Sequence, residues 1–487
     1  MRIFNFAILI AGAFLVAACS DSTEVAPDQV AMPDPSNLSA SPSSSQPNVL
    51  FILVDDMGFN DVGYNGSEIA TPNLDALAAR GVHLDRNYVY PVCSPTRTAL
   101  LTGHNPLDYG IDSPMGDHTG LPLELKLMPE YFKDMGYQTY MIGKWHQGIG
   151  NTDFWPTSRG FDYHYGFLGG WIDFYTHVYH QALDWQRNGQ TLREEGHATD
   201  LLTEDAIRVI ADRDSESPFF MYLAYNAPHS PLQYTPANSG LNSDVAAGDR
   251  AVYAEMVTQL DAAIGEVIAS LDAEGILQDT IIVFSSDNGG ALAQGASNGD
   301  LRMGKSQAYE GGMRVPGSIW WPGQVEGGVL NQPIAVHDWL PTLLEAVGGD
   351  PADAIDPYGQ SMWGAIARGE QIDRAPTTIG TINSIAAFDW PLKVVRHGQG
   401  DSQQIGLYNV LDDPTEANDL SEQNSEKLAE LLALIEAIPN VPSKGVQPGG
   451  KHPGEYFGNA DGDGWNYDVR LPENDEPWAE TAVRGSN

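Results

Sequence analysis

The 487-residue chain has few of the residues that mark nucleic-acid-binding proteins. It carries 25 Lys and Arg against 65 Asp and Glu, which gives a formal net charge of −40. Contact with nucleic acid requires a basic face that neutralises phosphates, so this balance argues against nucleic acid as a partner. The acidity is typical of a protein that stays soluble in a saline habitat. A local cluster of cations can still reverse the surface potential inside a cleft.

Cysteine is also scarce, since only Cys19 and Cys93 are present. A disulfide between these two is one alternative. Cys19, however, ends the run Leu15-Val-Ala-Ala-Cys19, which resembles the cleavage box of bacterial lipoproteins. Cleavage before Cys19 and lipidation of its side chain would exclude the disulfide and leave Cys93 as a single internal thiol.

Apolar runs long enough to cross a membrane are absent. The N-terminal run, residues 3–16, follows Arg2 and is too short to span a bilayer as a helix, and no later run is long enough. We therefore predict a lipoprotein signal peptide over residues 1–19, with an ordinary signal peptide cut nearby as the alternative. This predicts an exported bacterial protein in the periplasm, outer membrane or cell surface, which meets the membrane only through a lipid anchor at Cys19.

The body of the chain alternates apolar strand patterns with helical ones. Residues 72–80 read as a helix with Thr71 as its cap, and residues 249–274 read as a long amphipathic helix. Continuous apolar runs, typical of buried parallel strands, occupy 48–54, 137–142, 218–225 and 280–286. This alternation predicts an α/β domain with a large, mostly parallel sheet sandwiched by helices.

The segments before and after this α/β pattern differ from it in composition and in secondary-structure pattern. Residues 20–46 are rich in Ser, Pro, Asp and Ala, and they read as a flexible tether. Short strand patterns at 377–382, 392–396 and 406–408 precede a helix near 424–437, so residues 376–440 are predicted to form a smaller C-terminal α+β subdomain. Residues 441–487 form a Gly/Pro/Asp-rich tail. Its segment 459–464 hints at a calcium loop, but Arg470 stands where such a loop needs a bidentate Glu.

Polar residues follow several of the predicted strands at their carboxyl ends. Asp55 and Asp56 come directly after the first strand, and Asp287 and Asn288 follow the strand at 280–286. Ligands gather at this edge of parallel sheets. Oxygen donors favour Ca²⁺ or Mg²⁺, whereas Zn²⁺ usually recruits His or Cys. The pattern predicts a divalent-metal site, although each short motif alone is also a common turn.

The most specific run is Cys93-Ser-Pro-Thr-Arg-Thr-Ala-Leu-Leu-Thr-Gly103. Pro95 suits the first turn of a helix that starts just after Cys93, and Arg97 falls on the same helix face as Cys93. A nucleophile at a helix N-terminus beside a guanidinium suits binding and attack of an anion. The alternative is a buried structural cysteine.

This run resembles the Cys-x-Pro-x-Arg-x-x-x-Leu-Thr-Gly signature of type I sulfatases, members of the alkaline phosphatase superfamily. The runs 53–63 and 160–170 resemble arylsulfatase B-like enzymes, which act on 4-sulfated galactosamine. The resemblance is close over about residues 47–345 and loose over 346–437. It implies that residues 47–375 form a catalytic sulfatase domain, and that a maturation enzyme oxidises Cys93 to formylglycine, whose hydrate attacks sulfur.

The resemblance also implies a set of site residues. A calcium ion, or magnesium in its place, would be held by Asp55, Asp56, Asp287, Asn288 and residue 93. The cations Arg97, Lys144 and Lys305 would stabilise charge that develops as the S–O bond breaks. His229, with help from Lys305, would serve the departing sugar oxygen, and His146 would accept a proton from the hydrated aldehyde. Arg314 is expected to pair with Glu310 and is left out of the catalytic set.

The implied function is a sulfuric ester hydrolase that removes sulfate from a sulfated polysaccharide or its oligosaccharides, with galactose or galactosamine 4-sulfate-like units. A sugar pocket is predicted from Trp171, Asp173, Tyr175, His177 and His180, with a buried aromatic cluster as the alternative. One rival function is a phosphodiesterase or phosphonate monoester hydrolase of the same superfamily. Asn288, in place of a zinc-binding His, disfavours its two-zinc form. The other rival is a non-catalytic surface protein that binds sulfated glycans.

Overall fold

The structure is a computed structural model that describes residues 32–33, 46–116, 119–180, 182–236, 240–354, 358–439 and the backbone of 483–484. The predicted signal peptide and the loop at 459–464 lie outside the described residues, as does the tether apart from residues 32, 33 and 46. Within the described ranges, no helix has the length and apolar character needed to cross a membrane.

The helices match the sequence patterns closely. The long amphipathic pattern at 249–274 forms one helix over Asp249–Ala273, and the pattern after Thr71 forms a helix over Pro72–Arg80. Nine α-helices occur in the described residues: α1 (Pro72–Arg80), α2 (Cys93–Thr102), α3 (Met128–Asp134), α4 (Ala198–Asp212), α5 (Asp249–Ala273), α6 (Glu310–Met313), α7 (Trp339–Ala346), α8 (Trp363–Arg368) and α9 (Ser425–Glu436).

The strands are numbered in chain order. They are β1 (Asn48–Val54), β2 (Val82–Leu84), β3 (Asn87–Tyr88), β4 (Gln138–Lys144), β5 (Tyr163–Phe167), β6 (Val178–Tyr179), β7 (Ala182–Leu183), β8 (Gln186–Arg187), β9 (Gln190–Thr191), β10 (Phe219–Ala224), β11 (Gln233–Tyr234), β12 (Thr280–Ser286), β13 (Arg314–Val315), β14 (Gly317–Trp320), β15 (Gly328–Leu330), β16 (Ile334–Ala335), β17 (Thr377–Gly380), β18 (Ser384–Asp389), β19 (Leu392–His397), β20 (Gln404–Asn409) and β21 (Val483–Arg484).

Ten of these strands form one large sheet in the order β15-β2-β14-β12-β1-β10-β4-β5-β8-β9. Its centre is parallel, because β1 pairs in parallel with β10 and β12, and β4 with β10 and β5. Every residue of β1 and β12 is buried, as expected when helices cover both faces. One group of helices packs together as α1, α4 and α5, and another as α2, α3, α7 and α8. The predicted α/β architecture is confirmed.

The parallel centre decides where the site lies. Since β1, β4, β10 and β12 run in the same direction, the residues that follow them meet at one edge of the sheet. These residues include the predicted metal ligands Asp55, Asp56, Asp287 and Asn288 and both predicted histidines.

The smaller C-terminal sheet is antiparallel in the order β17-β18-β19-β20, and α9 packs against it over a small separate core. The predicted α+β subdomain is therefore present, and the exact domain boundaries stay predictions. The sequence patterns missed β18, whose run Ser-Ile-Ala-Ala-Phe-Asp contains two alanines and lacks a clear strand alternation.

One local prediction was confirmed in position but wrong in its hydrogen bond. Thr71 occupies the N-cap position of α1, but its side chain does not cap the helix. Its hydroxyl instead accepts a hydrogen bond from Gly63 N and donates one to Asp75. The free N–H groups of α1 are served by Asp261 of α5, whose carboxylate accepts from the backbone of Asn73 and Leu74. A partner from a distant helix has displaced the local cap.

Candidate active site

Three carboxylates and the thiol of the signature run converge at the carboxyl edge of the sheet. Asp55 and Asp56 follow β1, Asp287 follows β12, and Cys93 begins α2. One ligand atom from each residue lies within 4.8 Å of the others, and all four residues are buried. The chain thus assembles, from three distant segments, a group able to hold a metal ion.

Two side-chain oxygens at this site, one of Asp56 and one of the neighbouring Asn288, lack hydrogen-bond partners. Asp56 Oδ2 and Asn288 Oδ1 are buried and accept no hydrogen bond. Asn288 Nδ2 donates to Asp56 Oδ1 at 2.7 Å, which fixes the two side chains against each other. Buried oxygens without donors are costly unless a cation binds them. The donor set, mostly oxygen, therefore fits a hard divalent cation such as Ca²⁺ or Mg²⁺.

Cys93 is the first residue of α2, one position further into the helix than its sequence suggests. Its Sγ lies 3.7 Å from Asp55 Oδ1, and the residue is 2% exposed. Burial, followed by the charge of Asp287, raises the pKa of the thiol to about 12. The unmodified thiol therefore remains protonated and is a poor nucleophile as it stands.

Arg97 is buried and holds Asp287. Its Nη2 and Nε donate to Asp287 Oδ2 at 2.8 and 3.1 Å, and its Nη1 donates to the Lys144 carbonyl at 3.0 Å. The hydroxyl of Tyr222 on β10 completes the set. Arg97 thus reaches the cluster as predicted, with its nitrogens engaged by a carboxylate, a carbonyl and a hydroxyl.

Two lysines pair with the other two carboxylates. Lys144 Nζ lies 2.5 Å from Asp55 Oδ2, and Lys305 Nζ lies 2.5 Å from Asp56 Oδ1. Burial alone would raise the pKa of Asp55, but the charges of Lys144, His229 and Arg97 outweigh it and hold that pKa well below its usual value. Three carboxylates are thus matched by three cations, so a bound divalent ion would leave a net positive site within an acidic chain.

Both predicted histidines lie at this site. His146 is 5% exposed with φ +54°, and its Nδ1 has no hydrogen-bond partner. Burial and the nearby positive charge of Lys144 hold the pKa of His146 well below its usual value, so its ring is neutral. His229 Nε2 lies 3.7 Å from Asp56 Oδ2, and its Nδ1 lies 2.6 Å from the Ser230 carbonyl.

The backbone of His146 is fixed by residues that sequence reasoning missed. Ser94 Oγ donates to the His146 carbonyl at 3.1 Å, and Gln147 Nε2 donates to the same carbonyl at 2.9 Å. Gly170 lies against the imidazole, since a Cβ there would come within 2.7 Å of the ring. Ser94 and Gln147 could have been found from the sequence, because they directly follow Cys93 and His146. No sequence signal points to Tyr222, because it lies within a buried strand.

The predicted sugar-binding residues are placed differently from one another. Trp171 follows Gly170 and is partly exposed, with Tyr179 and His180 against its ring. Asp173 Oδ1 accepts hydrogen bonds from the backbone of the turn that it begins. Two further residues are buried: Tyr175 donates to the Tyr234 carbonyl, and His177 stacks on Trp185. Their burial agrees with the alternative of an aromatic cluster, and a substrate role stays a prediction.

Arg314 pairs with Glu310 as expected, but Asp85 is a closer partner. Its Nη2 donates to Asp85 Oδ1 at 2.7 Å, whereas Nη1 lies 4.0 Å from Glu310 Oε2. The closer carboxylate, Asp85, directly follows β2. The spacing within the motif of Arg314 gives no sign of this contact. Arg314 remains outside the group around Cys93.

A buried thiol, three paired carboxylates and two histidines thus meet at the edge of the α/β sheet where ligands bind in such folds. Comparison with known proteins narrows the class. The family model described as Sulfatase matches residues 47–349. The chain belongs to the sulfatase family.

Named relatives agree with this assignment. Arylsulfatase J of Mus musculus is 39% identical over 339 residues, which cover 67% of this chain and 56% of that protein. N-acetylgalactosamine-6-sulfatase of Mus musculus is 32% identical over 367 residues, covering 69% of each chain. The crystal structure of Ps i-CgsB in complex with k-i-k-neocarrahexaose matches with a TM-score of 0.74 and 32% identity, over 80% of this chain and 92% of that one. The match thus spans just over half the length of arylsulfatase J.

Proposed function

We propose that this protein hydrolyses sulfate esters of sulfated carbohydrates at the site around residue 93. One observation carries the proposal: the residue of the signature run lies at a helix N-terminus inside a buried group of three carboxylates and three cations. The family match supports the same reaction. A sulfate ester carries a single negative charge, which suits a site that is neutral without its metal and positive with it.

The attacking oxygen would come from residue 93 after oxidation of its thiol to formylglycine. Cys93 Sγ, 3.7 Å from Asp55 Oδ1, stands where that oxygen would lie. A Ca²⁺ or Mg²⁺ ion held by Asp55, Asp56, Asp287 and Asn288 would supply the charge that lowers the pKa of an attacking hydroxyl and offsets the sulfate oxygens. The unpartnered oxygens of Asp56 and Asn288 support this assignment.

The chain's own cations bind and orient the sulfate group. Lys144 pairs with Asp55 and Lys305 pairs with Asp56, so an ester that reaches these carboxylates meets positive charge from both lysines. The side chain of Lys144 has no exposed surface, whereas that of Lys305 is 22% exposed. Lys305 therefore lies on the side from which substrate enters, and Lys144 lies at the bottom.

The two histidines differ in the proton that each can move. His146 is neutral and has an unpartnered Nδ1, so it can accept a proton at that atom. His229 places Nδ1 against the Ser230 carbonyl, which leaves Nε2 to exchange a proton with the departing sugar oxygen. The side chain of His229 is 15% exposed, which agrees with a position beside the leaving group.

The substrate in this proposal is a sulfated polysaccharide, or an oligosaccharide from it, with sulfate on galactose or galactosamine. The likeness to an N-acetylgalactosamine-6-sulfatase and to a protein solved with neocarrahexaose supports this class. Trp171 offers a partly exposed indole on which a sugar ring could stack, and it directly follows Gly170, which lies against the ring of His146. The proposal includes a formylglycine-generating enzyme as maturation partner and export with a lipid anchor at Cys19.

Product analysis tests the proposal against its phosphoryl-transfer rival. The protein is co-expressed with a formylglycine-generating enzyme and supplied with 4-nitrophenyl sulfate, 4-nitrophenyl phosphate and a phosphodiester. Carrageenan and chondroitin sulfate oligosaccharides are tested in parallel, with free sulfate measured by ion chromatography. We expect sulfate release to exceed phosphate release. Faster phosphodiester cleavage, or sulfated-glycan binding without turnover, would contradict the proposal.

A further inference from the structure

The segment that carries Lys305 contacts both the large domain and the C-terminal subdomain. We call residues 302–310 the Lys305 loop. The large domain holds its middle, because Lys305 N donates to the Gly290 carbonyl at 3.1 Å and Ser306 N donates to the Pro91 carbonyl at 2.6 Å. The residues on either side of this pair are bound by the C-terminal subdomain instead.

Hydrogen bonds to the C-terminal subdomain flank Lys305 on both sides. Ala308 N donates to Ser384 Oγ, at the start of β18, at 2.8 Å. Arg302 Nη1 donates to the hydroxyl of Tyr408 on β20 and to the carbonyl of Glu416, both at 3.1 Å. The C-terminal subdomain therefore holds the Lys305 loop on both sides of the lysine.

A buried ion cluster closes the end of the loop. Lys393 Nζ of β19 lies 2.9 Å from Glu310 Oε1 and 2.9 Å from Glu416 Oε1, and all three side chains are fully buried. Glu310 N donates to Glu416 Oε2 at 2.7 Å, and Tyr88 donates to Glu310 Oε2 at 2.9 Å. Buried ion pairs of this kind add little net stability over an apolar replacement. Their value here is the fixed geometry that they impose on the loop.

The backbone around Lys305 requires such support. Met303 and Ser306 have φ values of +65° and +74°, in the left-handed region that costs side-chain-bearing residues free energy. A strained segment persists only where its surroundings hold it in place. Because the backbone is strained on both sides of Lys305, the contacts that hold the strained residues also fix the position of Lys305.

We propose that Ser384, Lys393 and Glu416 are positioning residues. They hold Lys305 Nζ against Asp56, where it can bind and orient the sulfate group. The C-terminal subdomain then contributes to the active site only by positioning Lys305, and none of its own groups touches the substrate. This inference rests on the proposed function, because it assigns Lys305 a part in sulfate ester hydrolysis.

A double-mutant cycle tests the inference with the full-length, matured protein. The variants are Ser384→Ala, Lys305→Ala and the pair together. The matched control is Thr378→Val, which removes a buried hydroxyl of the same sheet that accepts from Asn105 and does not touch the Lys305 loop. Sulfate release from 4-nitrophenyl sulfate gives kcat and KM, and hydrogen exchange of the peptides over 302–310 reports loop order.

We expect Ser384→Ala to lower kcat/KM about tenfold in the wild-type background and less than about twofold in the Lys305→Ala background. Exchange over 302–310 should rise, while exchange over β1 and β12 stays unchanged, and Thr378→Val should keep kcat/KM within about twofold of wild type. Equal losses in both backgrounds would overturn the positioning role while leaving the sulfatase proposal intact. Absence of sulfate release from the matured wild type would contradict the sulfatase proposal and, with it, the role of Lys305.

Should Ser384→Ala fail to fold, Tyr408→Phe provides the second test. It removes only the hydroxyl that accepts from Arg302. As with Ser384→Ala, we expect Tyr408→Phe to lower kcat/KM less in the Lys305→Ala background than in the wild type, with a smaller loss in the wild type than Ser384→Ala causes. Additive effects of Tyr408→Phe and Lys305→Ala would again overturn the inference.

Discussion

Lys144 Nζ lies 2.5 Å from Asp55 Oδ2, and neither side chain has any exposed surface. β4 supplies the lysine and β1 supplies the carboxylate, so the pair joins the ends of two strands that β10 separates. The lysine keeps Asp55 ionised beside residue 93, as its lowered pKa shows. A buried charge of this kind is tolerated only with its partner in place.

Lys144→Met should therefore damage both stability and activity. Loss of the ammonium leaves Asp55 buried beside Asp56 and Asp287 with one fewer cation. We expect the free energy of unfolding to fall by about 3 kcal/mol and kcat/KM to fall at least about a hundredfold. Urea denaturation and sulfate release measure the two effects. Unchanged values of both would show that the pair contributes neither to the fold nor to the site.

Cys93→Ala should abolish turnover and leave the fold intact. The residue is small and buried, and its Sγ makes only a long contact with Asp55, so its replacement removes the reacting atom with little loss of packing. We expect no sulfate release above background and a Tm close to that of the wild type, within about 3 °C. Substantial residual activity in this variant would assign the nucleophile to another residue.

Removal of divalent cations should lower activity and thermal stability together. A chelator would leave Asp56 Oδ2 and Asn288 Oδ1 buried without a partner, and a ligand that binds only the folded state raises its stability. We expect chelation to lower Tm by about 5 °C or more, and added Ca²⁺ or Mg²⁺ to restore it. The Asp287→Asn variant, with one charge fewer in the ligand set, should respond much less. An identical Tm of the wild-type protein with and without chelator would argue against a metal at this site.

Asp200, in the first turn of α4, should make stability depend on pH. Burial raises its pKa to about 6, although its carboxylate accepts a hydrogen bond from Gln259. Between about pH 4 and pH 6 the folded state then binds more protons than the unfolded state, so stability falls as the pH rises through this window.

The Asp200→Asn variant keeps an acceptor for Gln259 and loses the titration. Relative to this variant, the wild type should lose about 2 kcal/mol of unfolding free energy between pH 4 and pH 7. Urea denaturation of both proteins at several pH values measures the difference. A constant difference across that range would show that Asp200 has an ordinary pKa.

The sequence predicted the parallel centre of the sheet and the residues at its carboxyl edge because both follow from local patterns. Continuous apolar runs specify buried strands, and the polar residues directly after them must meet where those strands end. Asp55, Asp287 and His229 were therefore expected at one place, and the structure brings them together. Their chemical roles stay predictions.

Contacts between segments that are distant in the sequence could not be predicted from local patterns. Nothing near Lys393 in the sequence indicates that it lies between Glu310 and Glu416. The spacing of Arg314 to Glu310 predicted that pair but gave no sign of the closer pair with Asp85. The cap of α1 failed for the same reason, because Asp261 reaches it from another helix. In each case the partner is set by packing between elements, which a local pattern does not encode.

We expect sulfate ester hydrolysis to depend directly on the chemical state of residue 93. Mass spectrometry of the tryptic peptide from Asn87 to Arg97 reports that state, since conversion of the thiol to an aldehyde gives a characteristic loss of mass. We predict that specific sulfatase activity rises in proportion to the converted fraction across preparations with different amounts of maturation enzyme. Full activity from protein that retains the Cys93 thiol would contradict the account.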